Sequence, residues 1–363
     1  LGTMRLTMNY IISIVLFSLS FAVQAAKPEV GSFASVTADG SYKEGDSINI
    51  TATINQTVNA GSDLTVVLDT GVSVDLTNAV SSTELVGLYI VGSGENSSDL
   101  NVSSFSIGID GVVGSGGSMK KTNLPASNLA NTSNLVVDTT VPSASLVYSI
   151  GGSAVSSVKS GDTVRIIATF NEAVADSPAM QISGSGVTTV GATNMTKTST
   201  TSYYYDWSVG SGNGTQTFAL ATGTDVAGNV ITTSPTSGAT ITVDNTLPVI
   251  ISGDTTSVAE NQTSAIDVNA TDANTIAYSI SGGDSALFSI NSSGVVVFNS
   301  APDYELPGDS DVNNTYTFTV TATDVAGNAG TQLITITVTD AAFTVDAISN
   351  ANVNEGSIYT GVT

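Results

Sequence analysis

Two segments of the chain repeat one alternation of apolar and polar residues. Residues 45–58 read GDSINITATINQTV and residues 161–174 read GDTVRIIATFNEAV. In both, four successive alternate positions are apolar, so an extended strand would carry an apolar face and a mainly polar one. A repeat at about the spacing of an immunoglobulin-sized domain predicts an all-β chain of tandem Greek-key β-sandwiches. The predicted inner faces are Ile48, Ile50, Ala52 and Ile54 in the first copy, and Val164, Ile166, Ala168 and Phe170 in the second.

A second repeat marks the ends of the predicted domains. VDTTVP at 137–142 and VDNTLP at 243–248 each follow a strand-like run and end it with a proline. Proline cannot donate a hydrogen bond to a β-ladder, so it favours the exit from a sheet. We therefore predict sandwich domains at 27–142, 143–248 and 249–341, and the start of a truncated further domain at 342–363. Residues 1–25, before the first domain, are predicted to be a signal peptide.

The hexapeptide TDVAGN occurs at 224–229 and again at 323–328. Each copy follows an alternating strand and precedes the last strand of its predicted domain. Ala-Gly-Asn suits a tight turn in which glycine adopts a positive φ. Asp225 and Asp324 would then lie at one pole of a sandwich, where either of two roles is open: capping their own turn or binding a ligand.

The N-terminal segment is typical of an exported protein. Arg5 precedes an apolar run over 10–23, and Val23-Gln24-Ala25 supplies small residues at a cleavage site. This pattern predicts a signal peptide that is cleaved, and hence a secreted or cell-surface location. Any contact with a membrane is expected only through an anchor outside this sequence.

Composition excludes several classes of site. The chain has no cysteine and no histidine, which removes disulfides, thiolate zinc sites and histidine-based catalysis. It has 8 basic and 31 acidic residues, and the last basic residue is Lys197. A net charge of -23 disfavours nucleic-acid binding and attracts cations. Charge alone leaves open whether the acids form a solvated surface or specific cation sites.

The predicted third domain carries an ordered series of landmarks. It reads YSISGG, FSI, GVVVF, PDYE and YTFTVTATD within 249–341. This series resembles the cadherin repeat, including bacterial cadherin-like modules, and the resemblance implies Ca²⁺ at domain junctions. At the junction with the preceding domain, it implies the ligands Asp272, Asn274 and Asp324 together with Asp244 and Asn245. At the junction with the following domain, it implies Glu260, Asp303 and Glu305 together with Asp340.

Two departures from the cadherin pattern concern the same sites. Asn274 stands where the family has a second aspartate, which lowers the charge of that site. The linker Thr339-Asp340-Ala341 lacks the Asn-Asp-Asn run of animal cadherins. The first domain, with ADGSYKEGDSINITATI, and the second, with GDTVRIIATFNEAV, TDVAGN and VDNTLP, resemble instead the bacterial Ig-like repeats of surface adhesins.

These observations support two functional hypotheses. The first is a non-enzymatic, calcium-binding adhesion or stalk protein of the bacterial cell surface, whose partner is a surface or matrix ligand or a second copy of the chain. The second is a set of accessory modules of a secreted, carbohydrate-active enzyme whose catalytic domain lies elsewhere. The second needs exposed aromatic side chains, and TSYYYDWSVG at 201–210 is the candidate segment. Because one face of that strand must be buried, we expect Tyr203, Tyr205 and Trp207 to lie in the core and Tyr204 outside.

Overall fold

The computed structural model describes residues 25–341. Most of the predicted signal peptide and the predicted start of a further domain therefore lie outside the described residues. The chain forms two compact units. The first runs to Val141 and also includes Asp225–Asn229, and the second comprises Pro142–Thr224 and the chain from Val230 onward. Three apolar cores are present, one in the first unit and two in the second.

The first unit is a β-sandwich around the core that contains Phe33, Ile48 and Leu85. Its main sheet has the order β7-β4-β5-β6-β3-β8-β9, with β1 paired to β3, and β10 pairs with β2. The predicted alternating strand is β3, and Ile48, Ile50, Ala52 and Ile54 are all buried. The strands are β1 Val30–Ala34, β2 Gly40–Tyr42, β3 Ser47–Val58, β4 Asp63–Leu68, β5 Ser73–Thr77, β6 Ser82–Ile90, β7 Val102–Ile107, β8 Val113–Gly114, β9 Gly117–Ser118 and β10 Leu135–Val137.

The second sandwich has two five-stranded sheets, in the orders β12-β11-β14-β18-β17 and β13-β20-β19-β15-β16. The second copy of the alternating segment forms β14, in which Val164, Ile166, Ala168 and Phe170 are buried as predicted. Trp207 packs edge-to-face on Phe218 with ring centroids 5.2 Å apart. The strands are β11 Ala144–Ile150, β12 Ser153–Ala154, β13 Ser157–Val158, β14 Thr163–Phe170, β15 Gln181–Ser185, β16 Val190–Asn194, β17 Thr196–Lys197, β18 Ser202–Ser208, β19 Gly214–Thr222 and β20 Thr240–Val243.

The third sandwich consists of a four-stranded sheet in the order β22-β29-β28-β25 and a three-stranded sheet in the order β23-β27-β26. Its core is aromatic: Phe288 stacks on Phe298 and Phe318 with centroids 4.4 and 4.6 Å away. The strands are β21 Val249–Ile250, β22 Thr255–Ala259, β23 Ser264–Asp267, β24 Ala270–Thr271, β25 Ala277–Ser281, β26 Phe288–Ile290, β27 Val295–Phe298, β28 Thr315–Thr323 and β29 Ala329–Thr339.

The prediction of an all-β fold is confirmed. Within 25–341 the helical structure consists of two single 3-10 turns, Leu129–Asn131 and Ser285–Leu287. None of the helical segments in that range is long and apolar enough to span a bilayer.

The same parallel pair recurs in all three sandwiches and fixes equivalent positions. An early strand pairs in parallel with the last strand, so that Tyr42 lies opposite Val137, Val158 opposite Val243, and Ala259 opposite Thr339. The residues that follow these pairs are therefore equivalent by register. The early strand is followed by Lys43, Lys159 and Glu260, and the last strand by Asp138, Asp244 and Asp340.

Candidate functional site

The second TDVAGN segment forms a closed turn at the end of β28. Asp324 accepts hydrogen bonds at Oδ1 from the backbone N–H of Asn328 and at Oδ2 from its side chain, both at 2.8 Å. Gly327 has a φ of 83°, as predicted for the glycine of this turn. Because Asp324 and Asn328 are both buried, these bonds fix the turn, and the capping role left open by the sequence is present.

The first TDVAGN segment has the same geometry. Asp225 accepts from the backbone and the side chain of Asn229 at 2.8 and 2.7 Å, and Gly228 has a φ of 89°. The side-chain N–H of Asn229 also donates to the backbone carbonyl of Asp138 at 2.8 Å, within the first unit. The equivalent bond in the second unit joins Asn328 to the carbonyl of Asp244, again at 2.8 Å. Each copy of the hexapeptide therefore makes the same hydrogen bond, from its asparagine to the backbone carbonyl of the aspartate that follows the last strand of the preceding sandwich.

Three of the predicted ligands come together beside the turn at 324–328. Carboxylate oxygens of Asp244, Asp272 and Asp324 all lie within 4.8 Å of one another. At that separation two ionised carboxylates repel by about 3–4 kcal/mol if the effective dielectric constant is about 20. Asp244 and Asp324 are buried, which weakens screening by solvent. The arrangement therefore favours a bound cation that offsets the repulsion.

The hydrogen bonding of Asp272 gives a direct test of whether a cation fits. Its Oδ1 accepts from the backbone N–H of Asn274 at 2.8 Å. Its Oδ2 is inaccessible to solvent and has no hydrogen-bond partner. A buried carboxylate oxygen without a partner is costly, and a hard cation such as Ca²⁺ takes oxygen ligands of this kind. The donor set therefore fits Ca²⁺.

The two predicted amide ligands behave differently. Asn274 donates its side-chain N–H to Asp244 Oδ2, so its amide must rotate before its oxygen can face a cation. Asn245 is held away from the carboxylates. Its Oδ1 accepts from the backbone of Ser160 and its Nδ2 donates to the carbonyl of Gly212, both at 2.6 Å. Asn245 thus fixes loops of the second sandwich.

A second set of predicted ligands meets at the opposite end of the third sandwich, where β29 ends. Carboxylate oxygens of Glu260, Glu305 and Asp340 lie within 4.8 Å of one another. Asp303 is not a member of this group. Its Oδ1 accepts the backbone N–H groups of Glu305 and Leu306 at 3.0 Å. Asp303 therefore shapes the loop that carries Glu305.

Glu260 is the member of this second set whose acidity is altered. Its carboxylate accepts the backbone N–H of Tyr304 at 3.0 Å and that of Ala341 at 3.1 Å. These two donors stabilise the charged form and hold the pKa of Glu260 below its ordinary value. The carboxylate is thus kept ionised, which is the form that binds a cation.

Sequence reasoning missed the lysines next to these sites. Lys159 Nζ donates to the carbonyl oxygen of Gly327 at 2.5 Å, and Lys43 Nζ donates to that of Gly228 at 3.0 Å. Both lysines begin a Lys-x-Gly-Asp turn, and this motif was visible at 43–46 and 159–162. Its contact with the TDVAGN glycine was not visible, because the two partners are far apart in the sequence.

The aromatic strand β18 follows the prediction. Tyr203 and Trp207 are buried, and Tyr205 packs against the same core. Tyr204 lies on the other face, where the guanidinium of Arg165 covers its ring at 4.0 Å from the centroid. Arg165 is held there by a two-point ion pair with Asp206. β18 therefore offers no open aromatic platform for stacking a sugar.

Comparison with known proteins gives structural neighbours alone. No family model matches the chain, and no curated protein matches it. A solved structure of extracellular cadherin domains 3–6 of protocadherin gamma B2 is similar at 17% identity, covering 86% of this chain and 73% of that chain with a TM-score of 0.28. The human desmocollin-1 ectodomain is similar at 13% identity, covering 87% and 62% with a TM-score of 0.29.

A third similar structure is a bacterial one. It is SGBP-B of the Bacteroides ovatus mixed-linkage glucan utilization locus in complex with a mixed-linkage heptasaccharide, at 17% identity, covering 87% of this chain and 71% of that chain with a TM-score of 0.18. Because all three TM-scores are below 0.5, the fold assignment rests on the sheets and registers described above.

Proposed function

We propose that the chain is an exported, non-catalytic adhesion or stalk protein whose tandem sandwiches are stabilised at their junctions by Ca²⁺. The observation that carries this proposal is the buried, unpartnered Oδ2 of Asp272 beside the carboxylates of Asp244 and Asp324. Asp244 follows the last strand of the second sandwich, and the other two belong to the third. A cation held by all three would join the two sandwiches.

The residues divide the work of binding. Asp244, Asp272 and Asp324 supply the charged oxygens, and Asn274 supplies an amide oxygen after rotation of its side chain. Asn328 keeps Asp324 in place, since it donates to Oδ2 of that carboxylate. Bound Ca²⁺ supplies positive charge that cancels the repulsion among the three carboxylates. The fixed junction then sets the direction from one sandwich to the next.

Calcium titration of the whole chain by calorimetry tests the proposal, together with thermal melts in Ca²⁺ and in chelator. Ca²⁺ at about 100 times its dissociation constant should stabilise the folded state by about 2.7 kcal/mol. Asp272→Asn should abolish most of this gain, because it removes one charge from the three without changing side-chain size. Asp267→Asn removes a charge from an exposed position on β23 of the same sandwich and should leave the gain intact.

Equal melts in Ca²⁺ and chelator, with no heat of binding, would refute the proposal. The hypothesis of accessory modules of a carbohydrate-active enzyme would then be preferred. That alternative has less support from the structure, since the aromatic residues of β18 are buried or covered by Arg165.

A further inference from the structure

The register of the parallel strand pairs places a lysine and a glutamate at the same position in successive sandwiches. Lys159 follows Val158 of β13, and Glu260 follows Ala259 of β22. Their neighbours on the last strands are equivalent too, since Asp244 and Asp340 follow Val243 and Thr339. The same register position is therefore a lysine, Lys159, where the second sandwich meets the third, and a glutamate, Glu260, at the opposite end of the third sandwich.

The lysine is held in place by its own turn. The backbone N–H of Lys159 donates to Asp162 Oδ2 at 2.9 Å, and Gly161 adopts a φ of 91° to close the turn. The ammonium then donates to the carbonyl oxygen of Gly327. Gly327 lies between Asp324 and Asn328, so the ammonium holds the same turn that presents Asp324 to the three-carboxylate group.

The same contact occurs in the first unit, which makes it a repeated feature of the chain. Lys43 donates its backbone N–H to Asp46 Oδ2 at 2.9 Å, and its ammonium bonds to the carbonyl oxygen of Gly228. The chain has only 8 basic residues, and two of them occupy this one position. At the equivalent position, Glu260 instead joins Glu305 and Asp340 in the second group of acids.

We propose that the Lys159 ammonium is a built-in cation of the junction between the second and third sandwiches, which keeps that junction docked without a metal ion and which a cation from solution can replace. This deepens the proposed function, because it assigns part of the positive charge at the proposed Ca²⁺ junction to a residue of the chain itself. The lysine supplies one charge and one direct bond to the turn. Ca²⁺ adds stability to a junction that is already formed, and it becomes necessary only when Lys159 is replaced by glutamate.

Double spin labelling in chelator tests the lysine alone. The chain has no cysteine, so cysteines introduced at the exposed positions Thr169 and Thr337 give one label in each sandwich. The full chain with both labels should give a single narrow distance in chelator. Lys159→Met removes the ammonium but keeps much of the stem, and it should broaden that distance. Lys197→Met removes an exposed lysine of the second sandwich and should leave the distance narrow.

Lys159→Glu tests the second half of the proposal. It places glutamate at the register of Glu260, so the label distance should broaden in chelator and narrow again when Ca²⁺ is added. Calcium should bind this variant about tenfold more tightly than the parent chain, because a positive charge bonded to the turn that carries Asp324 has become a negative one. Circular dichroism melts show that each sandwich is folded in every variant.

The outcomes separate this proposal from the proposed function. A narrow distance for Lys159→Met in chelator overturns the lysine proposal, whatever Ca²⁺ does. Absence of calcium binding to the parent chain refutes the proposed function, while broadening of Lys159→Met still supports the lysine. Calcium affinity that is unchanged in Lys159→Glu overturns the proposed exchange of one cation for the other.

Discussion

Each end of the third sandwich brings three carboxylates close together, but the two groups differ in burial and in the donors that lie beside them. Asp324 and Asp340 close opposite ends of the β28–β29 pair, and each belongs to a group of three close carboxylates. At the Asp324 end two of the three acids are buried, and the turn is bonded to Lys159. At the Asp340 end Glu305 and Asp340 are exposed, and Glu260 relies on backbone N–H groups. The two ends therefore differ in one register position, which is Lys159 beside the buried acids and Glu260 among the exposed ones.

Asn328→Ala is expected to lower the free energy of unfolding most, because Asn328 lies at the Asp324 end, where the acids are buried. It removes the side-chain bonds to Asp324 Oδ2 and to the carbonyl of Asp244. A buried carboxylate that loses a donor should lower the free energy of unfolding by about 2–3 kcal/mol. Urea denaturation measures this loss. Asn269→Ala, at an exposed site of the same sandwich, should change it by about 0.5 kcal/mol or less, and equal losses for the two variants would contradict the comparison.

Gly327→Ala should have a smaller effect at the same end. A side chain at a φ of 83° is strained, which costs about 1–2 kcal/mol. A Cβ there would also lie 3.5 Å from Lys159 Nζ, so the ammonium is not expelled by the substitution. Gly253→Ala is the matched control, since its Cβ would meet no atom closer than 3.8 Å. If both alanines are equally tolerated in urea denaturation, the turn at 324–328 is less constrained than its geometry indicates.

A substitution at the exposed Asp340 end should change the melting temperature least, and the size of that change should depend on pH. The folded-state pKa of Glu260 is held below its ordinary value, so its contribution to stability is present above the ordinary pKa and is lost as pH falls through the folded pKa. The parent chain should therefore melt slightly above Glu260→Gln at pH 7, and the gap should close in acid. Melting temperatures measured across that range check this. A gap that is independent of pH, or an NMR titration that shows an ordinary pKa for Glu260, would contradict the role of the Tyr304 and Ala341 N–H groups.

Periodicity predicted the parts of the molecule that depend on neighbouring residues. The alternating strands β3 and β14 and the positive φ of both TDVAGN glycines follow from local sequence, because burial and turn formation act over a few residues. The resemblance to cadherin repeats grouped most of the acids that the structure brings together. Asn245 and Asp303 were less predictable, since nearby loop N–H and carbonyl groups bind their side chains.

The lysine contact could not be predicted from local pattern. Lys159 and Gly327 lie in different sandwiches, and a lone lysine in a polar turn is ordinarily a solvated charge. Its partner is a backbone carbonyl, which leaves no mark on the amino-acid sequence. The informative signal was the repeat itself, because Lys-x-Gly-Asp and TDVAGN occur together twice. Comparing repeats within one chain could have suggested the pairing before its geometry was known.

The parallel pairing of early and last strands has a mechanical consequence. β22 and β29 are held in register over five residue pairs, from Thr255 opposite Thr335 to Ala259 opposite Thr339. Tension applied along the chain pulls these two strands in opposite directions, so the hydrogen bonds between them are loaded in shear and share the force. An antiparallel hairpin pulled at its open end would instead unzip one bond at a time. The third sandwich is therefore built to withstand pulling along its length.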